Sequence, residues 1–122
     1  MEKHVLVVDD EEEICLLLSG MLKKTGLEVS CAYDIKSARE VIKSNYFDTV
    51  FVDLKLPDGT GYDLFNSIKD ISDHVKIIVI SAFDSERDYS LKEGADYFIS
   101  KPFTKVDILE ALETLKIKVN GH

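Results

Sequence analysis

The chain holds two cysteines, two prolines and no tryptophan among its 122 residues. Cys15 and Cys31 have neither the CxxC spacing of a metal or redox motif nor the density of a disulfide framework. Each lies in an apolar stretch, Ile14-Cys15-Leu16 and Val29-Ser30-Cys31-Ala32, so both read as small buried hydrophobes with free thiols. His4, His74 and His122 stand far apart and offer no metal-ligand spacing. No apolar segment is long enough to span a bilayer, and no apolar run follows a basic start. These absences leave a reducing cytoplasm as the expected location and no membrane as a partner. Positive charge is also in short supply: 15 Lys and Arg face 23 Asp and Glu, for a net charge of -8. An acidic surface repels phosphate backbones, so no direct contact with nucleic acid is expected.

What is present suits an ordinary folded domain. The chain is 45% hydrophobic and 31% charged, enough to build one core over residues 1–122. Short apolar runs alternate with amphipathic stretches, with no low-complexity segment between them. Residues 4–9 form a continuous valine-rich run, the pattern of a strand covered on both faces. Residues 11–24 follow as a helix, with Ile14, Leu17, Leu18, Met21 and Leu22 at helical spacing and Gly26 as its stop. Glu11, Glu12 and Glu13 read as an acidic helix start rather than as a metal cluster. Further strands are expected at 28–33, 49–53, 76–81 and 97–100, and the loop 56–61 is dense in turn formers. Asp34 caps a helix running to about Ser44, and a third helix at 62–69 buries Leu64, Phe65 and Ile68. Asp84 or Ser85 caps a short fourth helix that Gly94 ends. Thr104 and Asp107 give the last helix a capping-box pattern. Its stripe is Ile108, Leu109, Leu112 and Leu115, and its end falls near Lys118.

Strands alternating with helices build a parallel sheet covered on both faces, because parallel strands need crossovers. Ligands in such sheets bind beyond the carboxyl ends of the strands. Reading off those ends gives Asp9 and Asp10, then Asp53, Ser81 and Lys101. Taken singly, each has a bland reading: a helix cap, a residue before a turn, a turn starter, a surface charge. Their joint placement overturns it. Two carboxylates about 4 Å apart repel by roughly 4 kcal/mol at an effective dielectric of 20, so the cluster calls for a cation. Oxygen ligands with room for water suit Mg²⁺. A cation, an ammonium and a hydroxyl are what a phosphoryl group needs around its oxygens during transfer, and a carboxylate beside them can act as nucleophile.

Four segments carry a resemblance. Val7-Val8-Asp9-Asp10, Val52-Asp53-Leu54-Lys55-Leu56-Pro57-Asp58-Gly59, Ile80-Ser81-Ala82, and Gly94-Ala95-Asp96 leading to Lys101-Pro102-Phe103 resemble, in order, the response-regulator receiver family of two-component signalling. The likeness runs over essentially the whole chain. It implies a flavodoxin-like (βα)5 fold, a doubly wound five-stranded parallel sheet in the order 2-1-3-4-5. It implies that Asp53 is the phosphoacceptor, and that Asp10, Asp53 and the Lys55 backbone carbonyl ligate Mg²⁺ directly while Asp9 acts through water. Ser81 and Lys101 would contact phosphoryl oxygens, and the Lys101-Pro102 bond would be cis. Ser81 and Phe98 would form the switch, with Phe98 replacing the more usual tyrosine. The implied partners are a sensor histidine kinase or histidine phosphotransfer protein, and an output domain or target on the face of the fourth helix, fifth strand and fifth helix. Such a domain is no enzyme beyond catalysing its own phosphorylation and dephosphorylation. Receivers joined to winged-helix domains usually carry two adjacent Asp ahead of the aromatic. Here Asp96 is followed by Tyr97, which weighs against their mode of dimerisation.

Three other readings compete. A haloacid-dehalogenase-like phosphatase also uses a nucleophilic Asp with Mg²⁺, and Asp58-Gly59-Thr60 superficially matches its motif. However, Leu56 stands where that nucleophile belongs. A flavin carrier of flavodoxin type needs a hydroxyl- and glycine-rich loop where this chain has Asp9-Asp10-Glu11. A degenerate receiver that docks partners without phosphorylation would lack part of the site, and nothing is missing.

Overall fold

The computed structural model describes residues 4–117. Its elements alternate as the hydrophobic pattern requires. β1 (His4–Val8) leads into α1 (Glu12–Lys23), and β2 (Glu28–Ala32) into α2 (Ile35–Ser44). β3 (Thr49–Asp53) is followed by two short strands, β4 (Lys55–Leu56) and β5 (Gly59–Thr60), and then by α3 (Tyr62–Ile71). β6 (Lys76–Ser81), a 3₁₀ turn at Asp84–Glu86, α4 (Arg87–Lys92), β7 (Tyr97–Ser100) and α5 (Lys105–Thr114) complete the chain. Five strands form one parallel sheet in the order β2-β1-β3-β6-β7. With the β4–β5 hairpin set aside, this is the expected 2-1-3-4-5 order.

Alternation along each strand divides the core in two. Leu6, Val8, Val50, Val52, Ile77, Val79 and Phe98 face α2 and α3, meeting Ala38, Ile42, Leu64, Phe65 and Ile68. Val5, Val7, Phe51, Ile78, Ile80 and Ile99 face α1 and α5, meeting Leu18, Leu22, Ile108, Ala111 and Leu112. Both faces are therefore dry, which is why β1, β3 and β6 read as unbroken apolar runs. The ends of the strands remain free to carry polar groups.

Local signals set several boundaries. The Asp34 carboxylate accepts from the Ser37 amide at 2.7 Å and caps α2. Thr104 and Asp107 form a reciprocal capping box on α5. Gly94 takes φ 125° after α4, a conformation that suits glycine.

Other expectations need correction. Neither Asp84 nor Ser85 caps α4, which is entered through the 3₁₀ turn with no side-chain cap. The Asp84 carboxylate instead accepts from the Ser100 hydroxyl and pairs with Arg87. The loop 56–61 contains the antiparallel β4–β5 hairpin. Leu17 and Leu109 are exposed, while Cys15 and Ala111 take the buried places beside their neighbours. The last helix ends at Thr114, short of Lys118, which lies outside the described residues together with His122.

The cysteines depart furthest from expectation. Cys31 pairs with Val7 in the β1–β2 register and belongs to the cluster under α1, where Cys15 lies. The two are joined as a disulfide, with Cα atoms 6.3 Å apart. That distance is within the range a disulfide spans. Sequence spacing said nothing of this, because the approach is made by the crossover from β1 through α1 to β2. No helix among the described residues is long and apolar enough to cross a membrane.

Candidate functional site

At the carboxyl edge of the sheet, β1, β3, β6 and β7 end side by side. Asp9 follows β1 with its amide held by the Ala32 carbonyl at 3.1 Å. It is 1% exposed. Its Oδ1 accepts from the Glu11 amide at 2.9 Å, and its Oδ2 lies 2.9 Å from the Lys101 ammonium. That contact is ionic, and Oδ2 has no well-directed hydrogen bond. Burial pushes the Asp9 carboxyl above its ordinary pKa and nearby Asp53 adds to the rise, while Lys101 and the Glu11 amide oppose it.

Asp53 closes β3 and is buried. Its Oδ1 accepts from the Lys55 amide at 3.1 Å, and its Oδ2 accepts from the Lys101 ammonium at 3.0 Å. The backbone here is crowded. A Cβ on Gly61 would run into the Asp53 carbonyl oxygen, so only glycine fits there. Gly61 in turn donates its amide to the Leu54 carbonyl at 2.9 Å, closing the hairpin against the end of β3.

Ser81 ends β6 and is 1% exposed. Its hydroxyl oxygen accepts from the Phe83 amide at 3.0 Å, so the O–H proton stays free to donate. Its carbonyl accepts from the Lys101 amide at 2.8 Å, which binds the segment after β7 to the end of β6. The Lys101-Pro102 peptide bond is cis.

Lys101 joins the parts. Its ammonium reaches Asp9 at 2.9 Å, Asp53 at 3.0 Å and Glu11 at 3.0 Å. Burial alone would lower its pKa, but its contacts with the three carboxylates, Asp9 foremost, outweigh burial and raise it. Asp10 is exposed beside this group. Asp9, Asp10 and Asp53 each present a carboxylate oxygen within 4.8 Å of the other two. One ammonium does not balance three carboxylates and Glu11. The buried Asp9 Oδ2 is met only by the ionic contact to Lys101, so a further positive charge would be stabilised there, and an all-oxygen donor set suits a hard divalent ion.

Asp10, Glu11, Asp53, Lys55, Ala82, Phe83 and Lys101 line an open cleft above these carboxylates. The Lys55 ammonium lies over the Phe83 ring, 5.6 Å from its centroid, on the rim. An open cleft with an acidic floor and the Lys55 and Lys101 ammoniums on its walls has the charges to receive a small anionic group in company with a divalent cation.

Residues 5–113 match the response regulator receiver domain family. The chain belongs to that family. Solved structures agree. A CheY-like receiver domain protein from Methanospirillum hungatei is 29% identical over 95% of each chain, with a TM-score of 0.86. A Thermotoga maritima response regulator solved in complex with Mg²⁺ and BeF is 29% identical, with a TM-score of 0.83 over 93% of this chain and 98% of that one. A Burkholderia pseudomallei response regulator with a phosphorylated aspartic acid, a calcium ion and citrate is also 29% identical, with a TM-score of 0.83. That match covers 93% of this chain and 68% of that one.

In this receiver domain the fold brings together Asp9, Asp10, Asp53, Ser81, Lys101 and the Lys55 amide. Phe98 lies apart, one β7 register position beyond Tyr97 and paired with Val79 of β6. It is 4% exposed, under the guanidinium of Arg87. Two residues take roles that the sequence pattern does not announce. Glu11 sits at the start of α1 without capping it, and its carboxylate turns to Lys101. Arg87 stacks on Phe98 and bonds Ser100. The signal for Glu11 was its adjacency to Asp9-Asp10, and Arg87 carried no sequence signal.

Proposed function

We propose that this receiver domain accepts a phosphoryl group on Asp53 from a phosphohistidine of a sensor kinase or histidine phosphotransfer protein. A carboxylate oxygen of Asp53 attacks phosphorus, the O–P bond forms, and the N–P bond breaks with its electron pair going to the imidazole. Asp53 is held for this by the Lys55 amide and the Lys101 ammonium. The free Ser81 O–H and Lys101 are the donors available to the phosphoryl oxygens. Asp10, Asp53 and the Lys55 carbonyl would hold Mg²⁺ directly, and Asp9 through water. When bound, the ion neutralises charge on the transferring group. The observation that carries this reading is the single ammonium bridging two buried carboxylates, Asp9 and Asp53, on a segment whose backbone is tied to Ser81 at the end of β6.

The chemistry is one phosphorylation and its reversal per molecule, not turnover of an external substrate. A cytoplasmic location fits a kinase as donor. The output partner is expected on the face of α4, β7 and α5. The phosphatase reading loses support because the Asp58 carboxylate is occupied by the Ile35 and Lys36 amides at 2.8 and 3.1 Å.

A small-molecule phosphodonor with Mg²⁺ should add one phosphate by intact mass. Asp53→Asn should take up none. Equal labelling of the variant would overturn the assignment.

A further inference from the structure

We propose that Cys15 and Cys31 are a reversible thiol–disulfide pair, an oxidant-responsive modification site that staples α1 to β2 beside the acidic cleft. The inference stands apart from the phosphoryl chemistry and needs none of its residues.

Placement is the first argument. Cys15 lies on the inner side of α1 with Leu18 and Leu22, on the face that meets Val5 and Val7. Cys31 is in register with Val7 and turns to the same face. The covalent link between them spans a sequence separation of 16. No other cysteine exists in the chain to compete.

Access is the second. Cys15 is 2% exposed, whereas Cys31 is only half-buried. The Ser19 hydroxyl lies 3.6 Å from the Cys31 sulfur and 3.9 Å from the Cys15 sulfur. It can donate to a thiolate on either. The more accessible Cys31 is therefore the sulfur that meets oxidant, and Cys15 is the resolving thiol waiting behind it.

A hydroperoxide is the oxidant class. The Cys31 thiolate attacks the peroxide, the O–O bond breaks, and Cys31 becomes a sulfenic acid as the alcohol departs. The Cys15 sulfur then attacks the Cys31 sulfur, the S–O bond breaks, and water leaves with the Cys15 proton. Two thiols are oxidised by two electrons and one hydroperoxide is reduced. A dithiol reductant restores both thiols by exchange.

The position gives the bond a local consequence. Asp9 is fixed to the end of β2 by the Ala32 carbonyl, one residue from Cys31. Cys15 is four residues past Glu11. The disulfide thus closes the segment that carries Asp9, Asp10 and Glu11 at its second end, and reduction frees that end. In a reducing compartment a disulfide that persists only under oxidant is a sensor rather than a staple for stability alone.

The test first reduces the full chain with a dithiol and removes the reductant, then adds a stoichiometric alkyl hydroperoxide, and finally returns the dithiol. Intact mass should fall by two hydrogens and recover. The oxidised form should melt on the order of 10 °C higher. Amide exchange in the first half of α1 should slow at least tenfold on oxidation. Cys31→Ser and Cys15→Ala should each abolish the mass loss and the shift. Because Cys15→Ala touches the core, Cys31→Ser is the decisive control. An addition of oxygen without closure, no reaction, or a disulfide that leaves melting and α1 exchange unchanged would overturn the proposal.

Discussion

The guanidinium of Arg87 covers the ring of Phe98, 4.7 Å from its centroid. One guanidinium nitrogen also approaches the Phe98 carbonyl at 3.4 Å, and another bonds the Ser100 hydroxyl at 3.2 Å. The start of α4 is thereby held on β7 by a cation stacked on an aromatic face. Phe98 has no phenolic oxygen to keep in water, and its outward position would expose apolar area at a cost of roughly 25 cal/mol per Å². An inward ring is the ground state that follows.

Phe98→Tyr should therefore populate the outward ring more than wild type. Relaxation-dispersion NMR on the unphosphorylated protein reads this directly. If the tyrosine variant instead favours the inward ring, the desolvation argument fails. Arg87→Ala should cost about 1 kcal/mol of stability and raise exchange broadening across residues 84–100. Phosphorylation on this view shifts an existing population.

Removing Asp10 should separate charge repulsion from metal binding. Asp9, Asp10 and Asp53 offer oxygens within 4.8 Å of one another, and Asp10 is the exposed member. Asp10→Asn should raise stability without metal by up to about 1 kcal/mol, the repulsion expected near water. It should lose most of the Mg²⁺-dependent rise in melting temperature. Melts with and without Mg²⁺ decide it. A variant that is less stable without metal yet keeps the wild-type increment contradicts the role.

The sequence made the sheet legible because both its faces are dry. β1, β3 and β6 are apolar runs closed or followed by a polar residue, and the run fixes where the end falls. Asp9, Asp53 and Ser81 could be placed by that rule alone. Glu11 could not, because an acidic residue at a helix start already has an adequate explanation in the helix dipole. The structure spends its carboxylate on Lys101 instead. Leu109 departs from its expected buried place because helical spacing admits a wider stripe than a sheet face covers. The cysteine pair was invisible because contact across a crossover depends on register, and register is not a local property.

Asp58 fastens the β4–β5 hairpin to the start of α2 through the Ile35 and Lys36 amides. Those two bonds, the Ile35 bond foremost, hold its carboxyl below the ordinary value of 3.8. The folded pKa lies below the unfolded one, so this contribution to stability is present above pH 3.8. It is lost as pH falls through the lower folded value. An NMR titration should find the Asp58 midpoint below 3.8, and Asp58→Asn should flatten that part of the acid limb. A midpoint at or above 3.8 would refute the clamp.

Lys101 sets the opposite limb. Burial would lower its pKa, yet bonds to Asp9, Asp53 and Glu11 raise it above 10.5. Its stabilising contribution is therefore complete below pH 10.5 and is lost only as pH climbs through the higher folded value. Asp9 behaves in the other sense. Its folded pKa is above 3.8, chiefly through burial, so stability falls as pH rises from 3.8 through that folded value. Lys101→Met removes the ammonium that restrains this rise and leaves two buried carboxylates without their cation. The variant should lose about 3 kcal/mol at pH 7. The deficit should shrink toward pH 5 as Asp9 takes up a proton that the unfolded chain does not hold. Above pH 10.5 the variant should lack the alkaline decline attributable to Lys101. Chemical denaturation at pH 5, 7 and 11 tests all three. An equal deficit at pH 5 and pH 7 would mean that Asp9 is not the group left exposed to its own charge, and that Lys101 acts through packing alone.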